Sequence, residues 1–125
     1  MNKLAHTESQ TESRTESDYV GEVSIPGDKL YGVNTVRGVE NLSVSALSIA
    51  HYPQFRDAFA QCKWAAALAN RDSDVLGAQQ CDAIVRACQE VIAGRFDDSL
   101  ITDLLEGSGG TSTNMNFNEV IANRA

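Results

Sequence analysis

The sequence predicts a mainly α-helical protein: a small N-terminal extended or hairpin segment, then an antiparallel helix pair, then the start of a further long helix. Residues 53–71 and 77–93 each repeat apolar side chains at helical spacing. A polar break, Asp72-Ser73-Asp74, separates these two stretches. Pieces that favour β-structure come earlier, between residues 19 and 31, where Pro26-Gly27 indicates a turn.

The composition is that of one modest domain. The chain has 125 residues, of which 42% are hydrophobic, and its net charge is −7. This acidic balance argues against nucleic acid or an anionic membrane as a partner. No apolar run approaches the ~20 residues of a membrane span, and residues 1–17 contain no signal-peptide core. We therefore expect a cytoplasmic protein.

The N-terminal region is polar and repetitive. Thr-Glu-Ser occurs at residues 7–9, 11–13 and 15–17, without apolar side chains, so we expect residues 1–13 to form a disordered tail. Further on, Asn34 is placed to cap a short helix in which apolar residues recur at near-helical spacing. Those residues are Val36, Val39 and Leu42.

The helix pair is the clearest local prediction. Pro53 suits the first turn of one helix, and Gly94 is expected to end the other. The apolar face predicted for the first helix consists of Phe55, Ala58, Phe59, Cys62, Ala65, Ala66 and Ala69. The face predicted for the second consists of Cys81, Ile84, Val85, Cys88, Val91 and Ile92. Amphipathic faces of this kind predict two helices that pack antiparallel.

Cysteine and histidine exclude several kinds of site. Cys62, Cys81 and Cys88 form no C-x-x-C pair, which argues against a disulfide framework or a zinc knuckle, and we expect them to be small buried hydrophobes. With only His6 and His51 present, neither a histidine metal site nor a Ser-His-Asp triad can be assembled. The sequence predicts no metal and no cofactor.

A glycine-rich stretch followed by hydroxyl residues has the layout of an anion site. Gly107, Gly109 and Gly110 permit positive φ, and residues 111–113 begin an Asn-rich helix start. Amides at a helix N-terminus attract carboxylate or phosphate. No lysine follows for a P-loop, and Ser112 stands where a dinucleotide fingerprint needs glycine. The residues alone leave open a loop whose hydroxyls only cap the helix.

Three segments resemble blocks of the aspartase/fumarase superfamily. Residues 110–123 resemble its first signature block, in the form typical of aspartate ammonia-lyases, whereas fumarases usually carry Gln in place of Ser112. Residues 14–22 resemble the R-x-E-x-D-x-x-G-E opening of aspartases. Residues 31–41 resemble the YGxxTxRxxEN block, with Gly38 where alanine is common.

This resemblance implies reversible elimination of ammonia from L-aspartate to give fumarate. It implies an N-terminal lyase domain over residues 14–110 and the truncated start of a central helical domain over residues 111–125, about the first quarter of a typical subunit. A full-length subunit would form a homotetramer whose active sites are each built from three subunits. No catalytic residue falls in this chain, because the family's histidine and serine-base blocks would come later.

The resemblance also assigns candidate site residues. Thr111 is the expected substrate contact, and the loop around it is shaped by Gly109, Gly110, Ser112 and Asn114. Arg37 supplies positive charge near the site, with pairing to Glu40 or Asp18 as the alternative. Asn116, Asn118 and Glu119 match the motif, and we expect them to hold the helix and its neighbours in place.

Two alternatives remain open at this stage. One is the N-terminal part of a class II fumarate hydratase, which adds water to the same double bond. The other is a noncatalytic truncated fragment that acts only through helix association. A departure at Glu106, where family aspartases commonly have Gln, bears on the affinity and the exact substrate, since an acidic side chain that points into an anion site opposes binding.

Overall fold

The computed structural model describes residues 12–125 and confirms a small N-terminal hairpin, but the hairpin begins before the predicted residues 19–31 and does not turn at Pro26-Gly27. Strand β1 (Ser13–Ser17) pairs antiparallel with β2 (Glu22–Pro26). In the connection, Asp18 accepts hydrogen bonds from the amides of Val20 and Gly21, and Gly21 adopts φ +141°. The expected disordered tail falls almost wholly on residues 1–11, outside the described residues, and its last residue is the first of β1.

Helix α1 (Val33–Asn41) forms where a short helix was predicted, but its capping was predicted wrongly. The N-cap residue is Gly32, and Asn34 lies inside the first turn. No side chain of the local sequence caps the helix. The amides of its first turn instead donate to carboxylates supplied by β1 and by the last helix, contacts that the local pattern cannot encode.

The central helix pair is antiparallel, as predicted. Helix α2 (Pro53–Asp72) begins with Pro53 in its first turn, and α3 (Ala78–Ile92) is followed by Gly94 with φ +73°. Arg56, near the start of α2, donates to the carbonyl of Ile92 at the end of α3. The guanidinium also donates to Asp97, so this buried side chain joins the two helices to the connector that follows.

The predicted buried face of α2 is wrong for most of its residues. Cys62 and the alanines at positions 58, 65, 66 and 69 are exposed, and Phe55 is 42% exposed. The side that packs inward carries Arg56, Ala60 and Ala67. In a helix this rich in alanine, the spacing of small apolar residues fits more than one side, so periodicity alone did not select the correct face.

Cys81 and Cys88 of α3 are buried, as expected for small hydrophobes. Burial raises the pKa of the Cys88 thiol to about 11, which keeps it protonated at neutral pH. Cys62 is exposed and contradicts the same expectation.

The last helix, α4 (Thr111–Arg124), completes the core. Its Phe117 is fully buried and stacks on Phe59 of α2, with ring centroids 4.5 Å apart. Burial of such a ring stabilises the fold by about 1.5–3 kcal/mol. Val120 and Ile121 lie in the same core. The core residues are Ile49, Ala60, Ala87, Cys88, Val91, Leu100, Phe117, Val120 and Ile121.

Two short 3-10 turns, Ile49–His51 and Asp97–Ser99, lie in the connections that lead into α2 and out of α3. A single antiparallel bridge between Ser48 and Asp103 joins these connections. Within residues 12–125, none of the helices combines the length and apolar character needed to cross a bilayer.

Candidate functional site

Helices α1 and α4 pack antiparallel, and their contact forms one wall and the floor of a polar cleft. At one end of the contact, Glu119 of α4 meets the N-terminus of α1; at the other, the start of α4 meets the second half of α1. Gly38 permits this close approach, because a Cβ built there would lie 3.0 Å from the Ser112 hydroxyl oxygen. The glycine thus has a packing role that its low helix propensity concealed.

The cleft itself measures about 230 Å³. It is lined by Asn34, Arg37, Gly38, Asn41, Leu42, Thr111, Ser112 and Met115. Positions 34, 37, 38 and 41 share one face of α1, because they are spaced three or four residues apart. The structure therefore brings three predicted site residues, Arg37, Thr111 and Ser112, to a single cavity.

The amides of the glycine-rich loop that precedes α4 donate to a carboxylate of this chain, that of Glu106. Gly109 and Gly110 adopt φ +71° and +95°, conformations that favour glycine. The Glu106 carboxylate accepts the Gly110 amide at 2.5 Å and the Ser108 amide at 3.0 Å. It also accepts the Ser108 hydroxyl. Glu106 thus points inward, and its carboxylate takes amides that an external anion would otherwise use.

Ser108 links this carboxylate to the first turn of α4. Its hydroxyl oxygen accepts the Ser112 amide at 2.9 Å while the hydroxyl proton is donated to Glu106. Burial opposes ionisation of Glu106, but the hydrogen bonds from Ser108 and Gly110 outweigh it and lower the pKa of this carboxyl below its ordinary value. Glu106 is therefore an anion at neutral pH.

Thr111 is the first residue of α4 and is exposed at the cleft. Among residues 12–125, no hydrogen bond occupies its hydroxyl group, unlike the hydroxyls of Ser108 and Thr35. An exposed hydroxyl at a helix N-terminus can donate to a bound anion, and the positive end of the helix dipole favours negative charge there.

Arg37 combines the two roles left open by the sequence. It lines the cleft, and it also pairs with Asp18 at 3.4 Å and Glu40 at 3.8 Å. Burial acts against the charged form of Asp18, but the hydrogen bond from Arg37 and two backbone amides lower the pKa of Asp18 overall. The guanidinium side chain remains 27% exposed, so it can contact a ligand while these pairs fix its position.

The Asn-rich segment of α4 holds neighbouring elements in place. Asn116 is fully buried; its amide oxygen accepts from Ile101 and Thr102, and its nitrogen donates to the Ser99 carbonyl. Asn114 accepts the Lys63 ammonium from α2. These contacts tie α4 to its surroundings, and Asn114 stands beside the loop without lining the cleft.

Glu119 reaches across to the start of α1. Its two carboxylate oxygens accept the amides of Gly32, Asn34 and Thr35, together with the Thr35 hydroxyl and the Asn34 side chain. A Cβ at Gly32 would lie 2.7 Å from the Glu119 carboxyl carbon, so only glycine fits there with this contact intact. Glu119 therefore acts structurally, as predicted.

Sequence reasoning missed two kinds of residue at the site. Asn34 and Asn41 line the cleft from α1, and their helical spacing with Arg37 was the signal that could have placed them there. The inward direction of Glu106 had no signal in the sequence pattern. Within the described part of the chain, no three His, Cys, Asp or Glu side chains are grouped so that they could hold a metal ion.

The arrangement has the chemistry of a carboxylate-binding cleft. One guanidinium, two hydroxyls, two carboxamides and the N-terminus of α4 face a cavity large enough for a small diacid. Its lining contains no histidine, lysine or carboxylate that could act as a general base. Such a lining suits contact with a small anion and contains no group that suits proton removal.

Comparison with known proteins places the chain in a family. Residues 21–125 match the family described as Lyase. The chain is 44% identical over 113 residues to aspartate ammonia-lyase of Pseudomonas aeruginosa, covering 90% of this chain and 24% of that protein. It is 46% identical over 112 residues to class II fumarate hydratase of Halobacterium salinarum, covering 90% of this chain and 23% of that protein.

A solved structure supports the same relationship. The crystal structure of the fumarate lyase:delta crystallin from Brucella melitensis in native form matches with a TM-score of 0.86 and 43% identity, covering 90% of this chain and 26% of that chain. The family match and the similar fold thus define a lyase-type protein. The chain belongs to the aspartase/fumarase superfamily of lyases. It spans about a quarter of the length of the curated relatives it matches.

Proposed function

We propose that this chain is the N-terminal part of a lyase that eliminates ammonia from L-aspartate to give fumarate, and that it contributes the wall that grips a substrate carboxylate. The observation that carries the proposal is the convergence of Arg37, Thr111 and Ser112 on one cleft. Aspartate ammonia-lyases are among the most similar relatives, and they support ammonia as the leaving group.

The chemistry of the elimination explains why such a wall is needed. Removal of a Cβ proton next to a carboxylate builds a second negative charge onto that carboxylate, which must be stabilised by donors fixed in advance. In our proposal the Thr111 hydroxyl supplies such a donor, and Arg37 adds positive charge from α1. The base, the remaining cations and two further subunits of a cytoplasmic homotetramer would complete the site.

A chimera tests the proposal directly. Residues 14–125 of this chain would replace the matching segment of the Pseudomonas aeruginosa relative, and fumarate formation would be followed by ultraviolet absorbance. Loss of one hydrogen bond to a charged group costs about 1.5–3 kcal/mol, so Thr111→Ala should lower kcat/KM by about 10- to 150-fold. Thr15→Ala, at an exposed position of β1, is the matched control.

The two variants should melt at similar temperatures, because Thr111 is exposed and its hydroxyl is not used by the fold. An unchanged kcat/KM in the Thr111→Ala chimera would show that Thr111 does not contact the substrate and only begins α4. The proposal would then lose its mechanistic basis.

A class II fumarate hydratase is the second enzyme candidate, because a relative of that kind is 46% identical to this chain. Ser112 in place of the fumarase Gln favours aspartate. Placing the same segment in a fumarate hydratase scaffold discriminates between the two enzymes. The hydratase is favoured if this second chimera turns over malate but not aspartate while the aspartase chimera is inactive.

A noncatalytic role through helix association rests on the exposed face of α2, where Phe55 and Cys62 stand among alanines. In this alternative the occupant of the face is a second copy of the chain. Sedimentation velocity over a range of concentrations distinguishes it, because Phe55→Glu would abolish a concentration-dependent dimer. A monomer at all concentrations excludes it.

A further inference from the structure

Glu106 is the feature that the proposed function leaves unexplained. It departs from the pattern expected for the family, and its carboxylate faces the loop that was expected to receive an external anion. Both oxygens are used: one accepts the Gly110 amide, and the other accepts the amide and hydroxyl of Ser108. Carboxylate bonds to backbone amides of this kind are the strong, charge-assisted type.

We propose that the Glu106 carboxylate is the resident anion of the glycine-rich loop and a positioning residue for the substrate contact at Thr111. By taking the amides of Ser108 and Gly110, it leaves the cleft between Arg37 and Thr111 as the place where the substrate carboxylate binds. This inference rests on the proposed function for the identity of the substrate, but its structural part stands on the loop alone.

The connection from Glu106 to Thr111 is short and continuous. Glu106 orients the Ser108 hydroxyl, whose oxygen accepts the Ser112 amide and so fixes the first turn of α4. Thr111 lies between the two amides that this arrangement holds, those of Gly110 and Ser112. A change at Glu106 therefore moves Thr111 without removing any side chain of the cleft lining, which does not include Glu106.

A resident carboxylate also accounts for the two positive-φ glycines. Gly109 and Gly110 turn the loop so that the amides of Ser108 and Gly110 both reach the Glu106 carboxylate, and a concavity of this kind binds anions. If the Glu106 carboxylate already fills that concavity, removal of this carboxylate should leave a hole that a small carboxylate from solution can occupy. This consequence separates a resident anion from a side chain that only fills space.

The test uses the 125-residue chain and acetate as the probe. In Glu106→Ala, NMR should show amide hydrogen exchange at Gly110 and Ser112 about tenfold faster or more than in the wild type. Sodium acetate should restore the protection saturably and return the Thr111 resonance toward its wild-type position, whereas sodium chloride at matched ionic strength should not. Glu22→Ala, at an exposed position of β2, is the control and should respond to neither.

Glu106→Gln covers the case in which Glu106→Ala does not fold. It keeps the volume and one acceptor oxygen, so protection should fall at either Gly110 or Ser112, and acetate should have no effect because the hole is filled. Unchanged exchange in both variants, or faster exchange that acetate does not restore in folded Glu106→Ala, overturns the inference.

Failure of the proposed function gives a different result. Succinate, a diacid that cannot react, should shift the resonances of Thr111 and Arg37 in the wild type if the cleft binds substrate. Succinate without effect, together with acetate rescue of Glu106→Ala, rejects the cleft and keeps Glu106 as resident anion. Cleft binding without acetate rescue rejects the role of Glu106 alone.

Discussion

Asp103 is only 5% exposed, and its carboxylate organises the connection between α1 and α2. Its hydrogen-bond donors are the amides of Val44, Ser45, Ala46 and Leu105 and the hydroxyl of Ser45. Ala46 has φ +59°, a conformation that a non-glycine residue adopts only when its surroundings hold it there. The hydrogen bond from the Ser45 hydroxyl lowers the pKa of Asp103, burial raises it, and the bonds from the backbone amides lower it further. The resulting pKa is about 2.

The lowered pKa predicts acid sensitivity. The folded value of about 2 lies below the ordinary 3.8, so this contribution to stability is fully present above about pH 4 and is lost as the pH falls through 2. Asp103→Asn should lower the melting temperature at neutral pH and flatten its decrease between pH 5 and about 2.

Thermal melts of the two proteins across this pH range measure the effect. Asp28→Asn, at an exposed position in the turn after β2, should reproduce the wild-type curve. Parallel curves for wild type and Asp103→Asn would contradict the assignment of the low pKa to Asp103.

At the scale of elements, α1 depends on α4 for its first turn. The local sequence provides no capping side chain, and Glu119 satisfies the amides of Gly32, Asn34 and Thr35 from across the interface. Glu16 of β1 accepts the Val33 amide. A carboxylate at this end also suits the helix dipole. Because α1 and α4 form the cleft together, the contact that stabilises α1 also sets the geometry of the site.

Glu119→Gln tests this coupling. The amide keeps one acceptor oxygen and places a donor against backbone N–H groups, so the free energy of unfolding should fall by about 1.5–3 kcal/mol. Urea denaturation followed by circular dichroism measures it. Glu40→Gln, at an exposed position of α1, should change stability by less than about 0.5 kcal/mol. Equal stability of Glu119→Gln and wild type would show that α1 does not need this cap.

The sequence was sufficient for elements whose signals are local. The limits of α2 and α3 follow from Pro53, Gly94 and helical spacing. The hairpin was predicted in kind but not in place, because its turn lies at residues 18–21 and Pro26 ends its second strand. The sequence was insufficient where a residue distant in the chain determines the local structure. The amides at the N-terminus of α1 donate to a carboxylate of α4, and Gly38 is explained only by its contact with Ser112. The wrong face of α2 has a similar cause, because alanine fits a buried or an exposed position almost equally well.

The candidate site shows the same division. Residues 110–123 identified the loop and Thr111 through the motif, and Arg37 through its block. The direction of Glu106 depended on the conformation of a loop with two positive-φ glycines, which composition does not specify. The cleft arises only when α1 and α4 pack, so its asparagines became recognisable as site residues once both helices were in place.

At the scale of the whole molecule, the cleft offers hydrogen-bond donors and one cation, and its lining contains no general base. The cleft is open to solvent on one side, and its single cation is already paired with Asp18 and Glu40. Water at such a surface weakens electrostatic stabilisation of a developing charge. The relatives of known activity are about four times as long, and the rest of their length has room for the groups that this cleft lacks.

We therefore expect the purified 125-residue chain to form no fumarate from L-aspartate. The physical reason is the absence of a base from the cleft lining, without which proton removal from Cβ has no catalyst even when the carboxylate is held. Ultraviolet absorbance of fumarate measures the reaction, with the active chimera as positive control and Thr111→Ala as negative control. Fumarate formation by the wild-type chain that disappears in Thr111→Ala would contradict the prediction, because the chain would then contain its own base. Succinate binding without turnover is the expected result, since the donors of α1 and α4 can contact a carboxylate but cannot remove a proton.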